Sequence, residues 1–412
     1  MSIVSMSEKE IKELLQTSLM DEKRKNKYAE VMTPLFLVEE ILDHIPESAY
    51  SEPDWKWLDP AAGSGHFFLV LYLRLMKGLE KKIVDEKARK KHILENMLYM
   101  VELNGRNVTI LKERFGNKCH IYQADFLTHD FKSMQFNGIL GNPPFQISKK
   151  EVYKGSVGNR VLWTFFIKNV LEKGLLKANG YFGFLTPSSW RRPEQGLYSL
   201  MVQENYLRYL HIYSKKEGLE KLSVQSRFDV YVIENRRPRE PSFIIDEKGK
   251  EHQLILSKWP FLPNYNYDSF QKILVPKAEG LDILFDSSCY DARKLKKKKT
   301  KRNDIEVVHN ITRKGLGLRY GSKKCKHLHK PKLLLNFNEK QYPVIDSLGK
   351  YGMSQLTFGI PIQNKDDGLQ WKRIIESPFF QEIIKASKWS SFQTDYRMFS
   401  YFSKNKEKYR NE

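Results

Sequence analysis

From Trp55 onward, short apolar runs that end in turn-forming or acidic residues alternate with stretches of helical spacing: WKWLDP, LYMVEL, CHIYQADF, FNGILGNPPF, GYFGFLTPSSW and FDVYVIEN. Apolar runs of strand length separated by a 3.6-residue pattern predict strands joined by helical crossovers, the signature of a parallel sheet flanked by helices. Ahead of them, residues 8–19 and 34–44 carry apolar positions at helical spacing, with Thr33 and Pro34 suited to the cap and first turn of the second helix. The alternation fades at RRPREP (236–241), a charged, proline-bearing stretch that reads as a linker. Beyond it Gly, Pro, Asn and aromatic residues mix without a dominant period, and no internal repeat is present.

Composition sharpens this outline. The 412 residues exceed the usual size of one hydrophobic core, so two domains are expected, and a 41% hydrophobic share is enough to build them. A formal charge of +21 and a pI near 9.5 imply a polyanionic partner, nucleic acid first and an anionic membrane surface second. Residues 291–332 hold 16 Lys or Arg against 3 Asp or Glu, so much of the charge belongs to the second domain. There Lys296, Lys297, Lys298, Lys299, Arg313, Lys314 and Arg319 are candidate phosphate contacts, because Gly and aromatic residues interleave them. Lys296 to Arg302 also fits a solvated surface run or a nuclear import signal. No stretch approaches the roughly 20 apolar residues of a membrane span, and the polar start lacks a secretory pattern, so a soluble, cytoplasmic protein is expected. Cys119, Cys289 and Cys325 are too few for a disulfide framework, and the spacing of Cys325, His327 and His329 matches no common zinc pattern; no metal is expected.

Candidate chemistry sits at the strand ends. In LDPAAGSGHFFLVLYL a strand ends at Asp59, a small-residue turn follows, and a helix begins near His66; Gly63 and Gly65 permit positive φ and leave no Cβ between backbone and ligand. A tight turn without a ligand has the same pattern, and a nicotinamide enzyme would need its third glycine at Phe68. The next strand places Glu102 where a carboxylate can take both hydroxyls of a ribose. It lies farther on than the roughly 20 residues of the dinucleotide pattern, and KKIVDEKARKKHILENM reads as a longer crossover helix that fills the gap. A third strand end carries Asp125 and Phe126, suited to the amino group and the face of an adenine. In GILGNPPF, Pro143 and Pro144 stiffen the chain and remove two N–H donors while keeping every carbonyl. The Asn142 side-chain oxygen and the Pro143 carbonyl then form a pair of acceptors suited to a planar amino group, and Phe145 offers a face for a base. An Asn-Pro-Pro turn over a buried Phe is the plainer alternative.

DPAAGSGHF (59–67) and NPPF (142–145) resemble the glycine motif and catalytic motif of the gamma-class amino methyltransferases, mainly adenine-N6 DNA methyltransferases of restriction-modification systems. The resemblance runs in order over roughly residues 27–240. KYAEVMTP (27–34) is similar to that class's methionine-binding motif, residues 161–190 to the helix and strand after the catalytic loop, and SRFDVYVIEN (226–235) to the segment carrying an aromatic for the far face of a flipped base. What the resemblance implies is a Rossmann-like α/β methyltransferase domain over 1–240, with a mixed, mainly parallel sheet, and a C-terminal α+β target recognition domain over 241–412. S-adenosylmethionine would be held by Tyr28, Thr33, Asp59, Ala61, Gly63, Gly65, Glu102, Asp125, Phe126 and Asn142. Asn142, Pro143, Pro144 and Phe145 would be catalytic, with Phe145 and Phe228 (or Tyr231) stacking on the target base. Double-stranded DNA is the implied substrate, the chain a monomer, and any cleavage the work of a separate restriction endonuclease. An RNA adenine-N6 methyltransferase, a protein-glutamine methyltransferase and a catalytically silent DNA-binding protein are the rival readings.

Overall fold

In the computed structural model the strands fall on the apolar runs: β1 Trp57–Asp59, β2 Leu98–Glu102, β3 His120–Gln123, β4 Phe136–Gly141, β5 Leu176–Pro187 and β7 Phe228–Glu234. The structure describes residues 3, 5–15, 33–146, 161–194, 196–285, 295–322, 325–389 and 394–410, so Tyr28 and Cys289 lie outside the described residues. Three further strands, β6 Tyr206–Tyr213, β8 Ser242–Ile245 and β9 Glu251–Leu254, complete a nine-stranded sheet in the order β3-β2-β1-β4-β5-β7-β6-β8-β9. β1, β2, β3, β4 and β5 run parallel, whereas β7 is antiparallel to both β5 and β6.

Two sequence expectations change here. RRPREP is no free linker: it carries the chain from β7 across the edge to β8, which pairs parallel with β6. The Tyr206 hydroxyl donates to the Pro241 carbonyl at 3.0 Å, and the Arg236 guanidinium lies 4.3 Å from the Tyr206 ring centre. The crossover predicted as one long helix is broken, because Asp85 accepts from the Ala88 N–H at 2.6 Å and caps a fresh start. Helix α4 (Glu86–His92) and a π-helical turn (Ile93–Met97) therefore follow α3 (His66–Gly78).

The remaining helices of this part are α1 (residues 8–15), α2 Leu35–Asp43, α5 Gly105–Phe115, α6 Trp163–Leu171, the single turn α7 Gly196–Tyr198, and α8 Lys215–Leu222. α3 is apolar almost all round and buries Phe67, Phe68, Leu69, Val70, Leu71, Tyr72 and Leu75, as a core helix must. α2 buries Leu37, Val38, Ile41 and Leu42.

Strand order reverses between β1 and β4, which pair Trp57 with Gly138 and Leu58 with Ile139. Glycine makes that approach possible: a Cβ at Gly138 would lie 2.1 Å from Trp57 Cε3, and one at Gly141 would lie 2.9 Å from Asp59 Oδ1. In open α/β sheets ligands bind outside the carboxyl ends of the strands at such a reversal.

The chain divides into two compact units, one of Met1–Trp190 with Gly196–Lys258 and the other of Arg191–Gln195 with Trp259–Glu412. The second holds two three-stranded sheets, β11-β10-β14 and β13-β12-β15, from β10 Ile305–Thr312, β11 Gly315–Gly321, β12 Lys332–Asn336, β13 Val344–Asp346, β14 Gly352–Met353 and β15 Thr357–Pro361. Helices α9 Tyr267–Ile273, α10 Lys365–Glu376 and α11 Pro378–Ala386 accompany them, an α+β composition. Val308, Ile311, Leu334 and Met353 form an apolar cluster joining the two sheets. Lys332 and Asp346 are 0% and 3% exposed and meet at 2.9 Å, with the ammonium also donating to the His327 and Lys330 carbonyls. A buried pair satisfied in this way is tolerated; either partner alone would not be.

Gly138→Ala should destabilise the first unit by about 1–3 kcal/mol or more, because an added methyl must displace the buried Trp57 indole. Gly196→Ala, where an added Cβ meets nothing within 4 Å, is the neutral control. Urea denaturation of the two variants against the parent chain measures the difference; equal midpoints would show that β1 and β4 have slack.

Candidate active site

The carboxyl ends of β1 to β5 share one edge with the amino end of β7 and the carboxyl end of β6, so distant sequence segments converge there. Asp59 ends β1, is 1% exposed, and its Oδ1 accepts the Ala61 N–H at 3.0 Å. Burial pushes its carboxyl up to about 8; the Ala61 N–H works against this, and the Glu102 charge adds to it. Glu102, at the end of β2, grips the loop through backbone amides: Oε2 accepts from the Gly63 N–H and Oε1 from the Asn104 N–H, both at 2.7 Å. That role was not visible in the sequence.

Gly63 and Gly65 both hold positive φ, +54° and +88°, as the small-residue turn predicted. They differ in surroundings. A Cβ at Gly65 would sit 2.6 Å from Phe115 Cε2 and 2.8 Å from Leu111 Cδ2, both on α5, so glycine is required there by packing. Above Gly63 nothing lies within 4 Å, and this is where backbone can approach a ligand. The next residues are likewise fixed: the Arg114 guanidinium donates to the Ser64 carbonyl at 2.5 Å, and the Ser64 hydroxyl lies 3.0 Å from His66 Nδ1. Burial, with Arg114 nearby, pushes His66 down to about 4, so it is neutral at neutral pH.

Asp125 follows β3, half-buried, with Oδ1 accepting the Leu127 N–H at 2.9 Å. Phe126 departs from expectation. It is 3% exposed and stacks on Phe166 of α6 with ring centres 5.0 Å apart, so its faces belong to the core.

The segment after β4 begins with Asn142, whose Nδ2 donates to Thr33 Oγ1 at 3.0 Å across 109 residues of chain. Thr33 is 8% exposed and immediately precedes Pro34 and α2. Pro143 is buried and Pro144 exposed, and Phe145 is half-buried against the core. The Phe145 carbonyl accepts the Leu162 N–H at 3.2 Å, and Gln146 bridges to Val161; residues 147–160 lie outside the described residues. Phe228 reaches the predicted edge, paired with Pro187, but its ring is 0% exposed and stacks on Tyr213 at 4.5 Å. Tyr231 is also fully buried, beside Trp190 and the Thr186 hydroxyl. Neither offers an open face to a base. A strand buried on both sides reads the same in sequence whether its aromatics face a ligand or a neighbour.

In the second unit the predicted basic residues gather on one ribbon. Arg313 and Lys314 form the exposed two-residue turn between β10 and β11, and Arg319 lies opposite Val307. Lys296 exchanges backbone hydrogen bonds with Tyr320 at 3.0 and 2.9 Å, which lays exposed Lys296 to Lys299 beside β11. Among the described residues none of Lys296 to Lys299, Arg313 or Lys314 takes part in an ion pair.

Residues 64–218 match the model of a family described as Eco57I restriction-modification methylase, a span that contains the glycine turn from Ser64, Glu102, Asp125 and the whole of NPPF. Over that span the chain is similar to restriction-modification methylases. A protein described as an uncharacterized adenine-specific methylase from Mycoplasma pneumoniae is 28% identical over an alignment of 239 residues covering 39% of this chain and 55% of that protein. The chain thus matches about half the length of that relative. The ATP-dependent type ISP restriction-modification enzyme LlaBIII, solved bound to DNA, superposes with a TM-score of 0.51 at 11% identity, covering 87% of this chain and 36% of that one. The M protein of the type I restriction enzyme EcoKI gives a TM-score of 0.40 at 12% identity, covering 54% and 49%. The first unit has the mixed, mainly parallel sheet flanked by helices that the resemblance implied. No helix among the described residues is long and apolar enough to cross a membrane.

The buried Asp59 sets a pH dependence whose sign follows from linkage. Its folded carboxyl holds a proton up to about pH 8, whereas an unfolded one loses it near 3.9, so stability falls as pH rises between those values. Between pH 6.5 and 8, above the titration of His66, Asp59→Asn should remove most of that fall and melt higher than the parent chain at pH 8. Thermal melts of both proteins at the two pH values test this; parallel profiles would place the Asp59 charge at no cost in the folded protein.

Proposed function

We propose that the protein is a site-specific DNA adenine methyltransferase that transfers a methyl group from S-adenosylmethionine to N6 of an adenine flipped out of duplex DNA. One observation carries the proposal: at the reversal of strand order, the Asn142 carboxamide, set by Thr33 and followed by two prolines, stands next to a loop that leaves open space above Gly63 and is closed by Glu102. That loop fits the cofactor. Thr33, Asp59, Ala61, Gly63, Gly65, Glu102 and Asp125 would hold it, with Tyr28; Glu102 keeps lone pairs for ribose hydroxyls while accepting two amide protons. The cofactor supplies, when bound, a methyl on a positively charged sulfur.

The chain's own residues then have a defined task. The N6 lone pair of adenine is shared with its ring, and acceptors that hold both amino protons favour a pyramidal nitrogen whose lone pair is free to attack. Asn142 Oδ1 and the Pro143 carbonyl are those acceptors. Pro144 stiffens the turn, and half-buried Phe145 supplies the face on which the displaced base rests. One proton leaves the amino nitrogen for solvent. Phe228, with its ring on Tyr213, supports the edge from within. The second unit would read the DNA, with Lys296 to Lys299, Arg313, Lys314 and Arg319 on phosphates. A separate restriction endonuclease is the fitting partner for a cytoplasmic enzyme of this kind, acting as a monomer.

Asn142→Ala should keep cofactor and DNA affinity and lose turnover by on the order of 10²- to 10³-fold, the scale of removing one preorganised hydrogen-bonding group. Labelled-methyl transfer to duplex DNA, structured RNA and protein, followed by digestion of the DNA to nucleosides, tests the assignment. N4-methylcytosine in place of N6-methyladenine, or label in RNA or protein alone, would overturn it. Replacing Lys296 to Lys299 with Gln should weaken binding alike for all DNA sequences and lower the log-log salt slope by up to about 3 to 4, near 0.9 per phosphate contact. A slope equal to the parent's would leave the run as a solvated surface.

A further inference from the structure

A carboxamide that must meet an amino group has to be held still, because its side chain can rotate about its bonds. The structure shows what holds it. Nδ2 donates to Thr33 Oγ1 at 3.0 Å, which turns Oδ1 away from Thr33. We infer that Thr33 is a positioning residue that anchors the Asn142 carboxamide, and that α2, which begins two residues later, holds its hydroxyl in place; the inference rests on the methyltransferase reading above.

The helix is pinned along its length. Pro34 fixes φ directly after Thr33, and its carbonyl accepts the Leu37 N–H at 3.0 Å. Ile41 packs so closely on β5 that a Cβ at Gly183 would come within 2.4 Å of it. The Glu40 carboxylate accepts three side-chain hydrogen bonds from β6, from the Tyr209 hydroxyl at 2.6 Å, His211 Nδ1 at 2.7 Å and the Tyr213 hydroxyl at 2.5 Å. At the far end the Arg208 guanidinium donates to the His44 carbonyl at 3.1 Å. A hydroxyl placed just before a helix fastened to β5 and β6 has little freedom to move, so it holds the carboxamide in place before substrate arrives. Holding a reacting group in place beforehand is worth large rate factors, and small misplacements lose them.

The resemblance also gives Thr33 to the cofactor, and the test separates the two roles. Thr33→Val removes the hydroxyl and keeps the shape; Thr33→Ser keeps the hydroxyl. Single-turnover methylation of duplex DNA is measured at saturating S-adenosylmethionine, with cofactor affinity by calorimetry and DNA affinity by fluorescence anisotropy. The Val variant should methylate about 10- to 100-fold more slowly at saturation with DNA affinity unchanged, and the Ser variant should stay within about threefold of the parent. Should the Val variant fail to fold, Thr33→Ala, which lacks both hydroxyl and bulk, is expected to show the same loss. A Val variant with the parent's rate at saturation, whatever its cofactor affinity, overturns the inference, as does a Ser variant as slow as Val. A parent chain that puts no methyl on adenine overturns the functional reading itself and this inference with it.

Discussion

The approach of β4 to β1 is the constraint from which the rest of the first unit follows. These strands pair where the order of the sheet reverses, and their ends can come together only because Gly138 faces the Trp57 indole and Gly141 faces the Asp59 carboxylate. A side chain at Gly138 would have to displace the indole, and one at Gly141 would press on the carboxylate. With the strands in contact, the turn after Asp59 and the Asn-Pro-Pro turn after Gly141 open on the same crevice, and groups 83 positions apart in the sequence act as neighbours. The reversal brings the two turns to one edge of the sheet.

Charge at that edge of the sheet is arranged with economy. Asp59 is held toward its neutral form by burial and His66 toward its own, so neither adds a full charge at neutral pH. The Glu102 carboxylate is instead bound by amides of Gly63 and Asn104, which ties the end of β2 to the glycine turn. The same logic of a carboxylate surrounded by donors recurs at Glu40, where three side chains of β6 clamp α2. In both places an acid is used as a fastener between elements distant in sequence. The second unit repeats the device with the buried Lys332–Asp346 pair, while exposed cations line the ribbon of β10 and β11 and the run beside it.

Much of the architecture was legible in the chain. Apolar runs of strand length, the Gly63 and Gly65 turn and the Asn142-Pro143-Pro144 turn depend on local backbone preferences and on burial, and these are written in consecutive residues. β6 was not legible, because Arg208 and His211 interrupt the apolar run of YLRYLHIY. RRPREP looked like a linker, since a crossover rich in charge and proline has the composition of one, whatever it joins.

What the sequence by itself determined is the set of strand ends and the kinds of groups placed there: a buried acid, two permissive glycines, a second acid and a stiff amide turn. Tertiary structure decided which of those groups meet, and which faces remain open. Phe126 and Phe228 were suited by type to hold a base, yet each stacks on an aromatic neighbour in the interior. Gly65 was suited to a ligand and is required by α5. Thr33 and Asn142 touch although 109 residues separate them. The physical reason is common to all of these: a residue's conformational freedom and polarity are local properties, whereas its contacts are set by which surfaces the packed sheet and helices bring within a few ångströms.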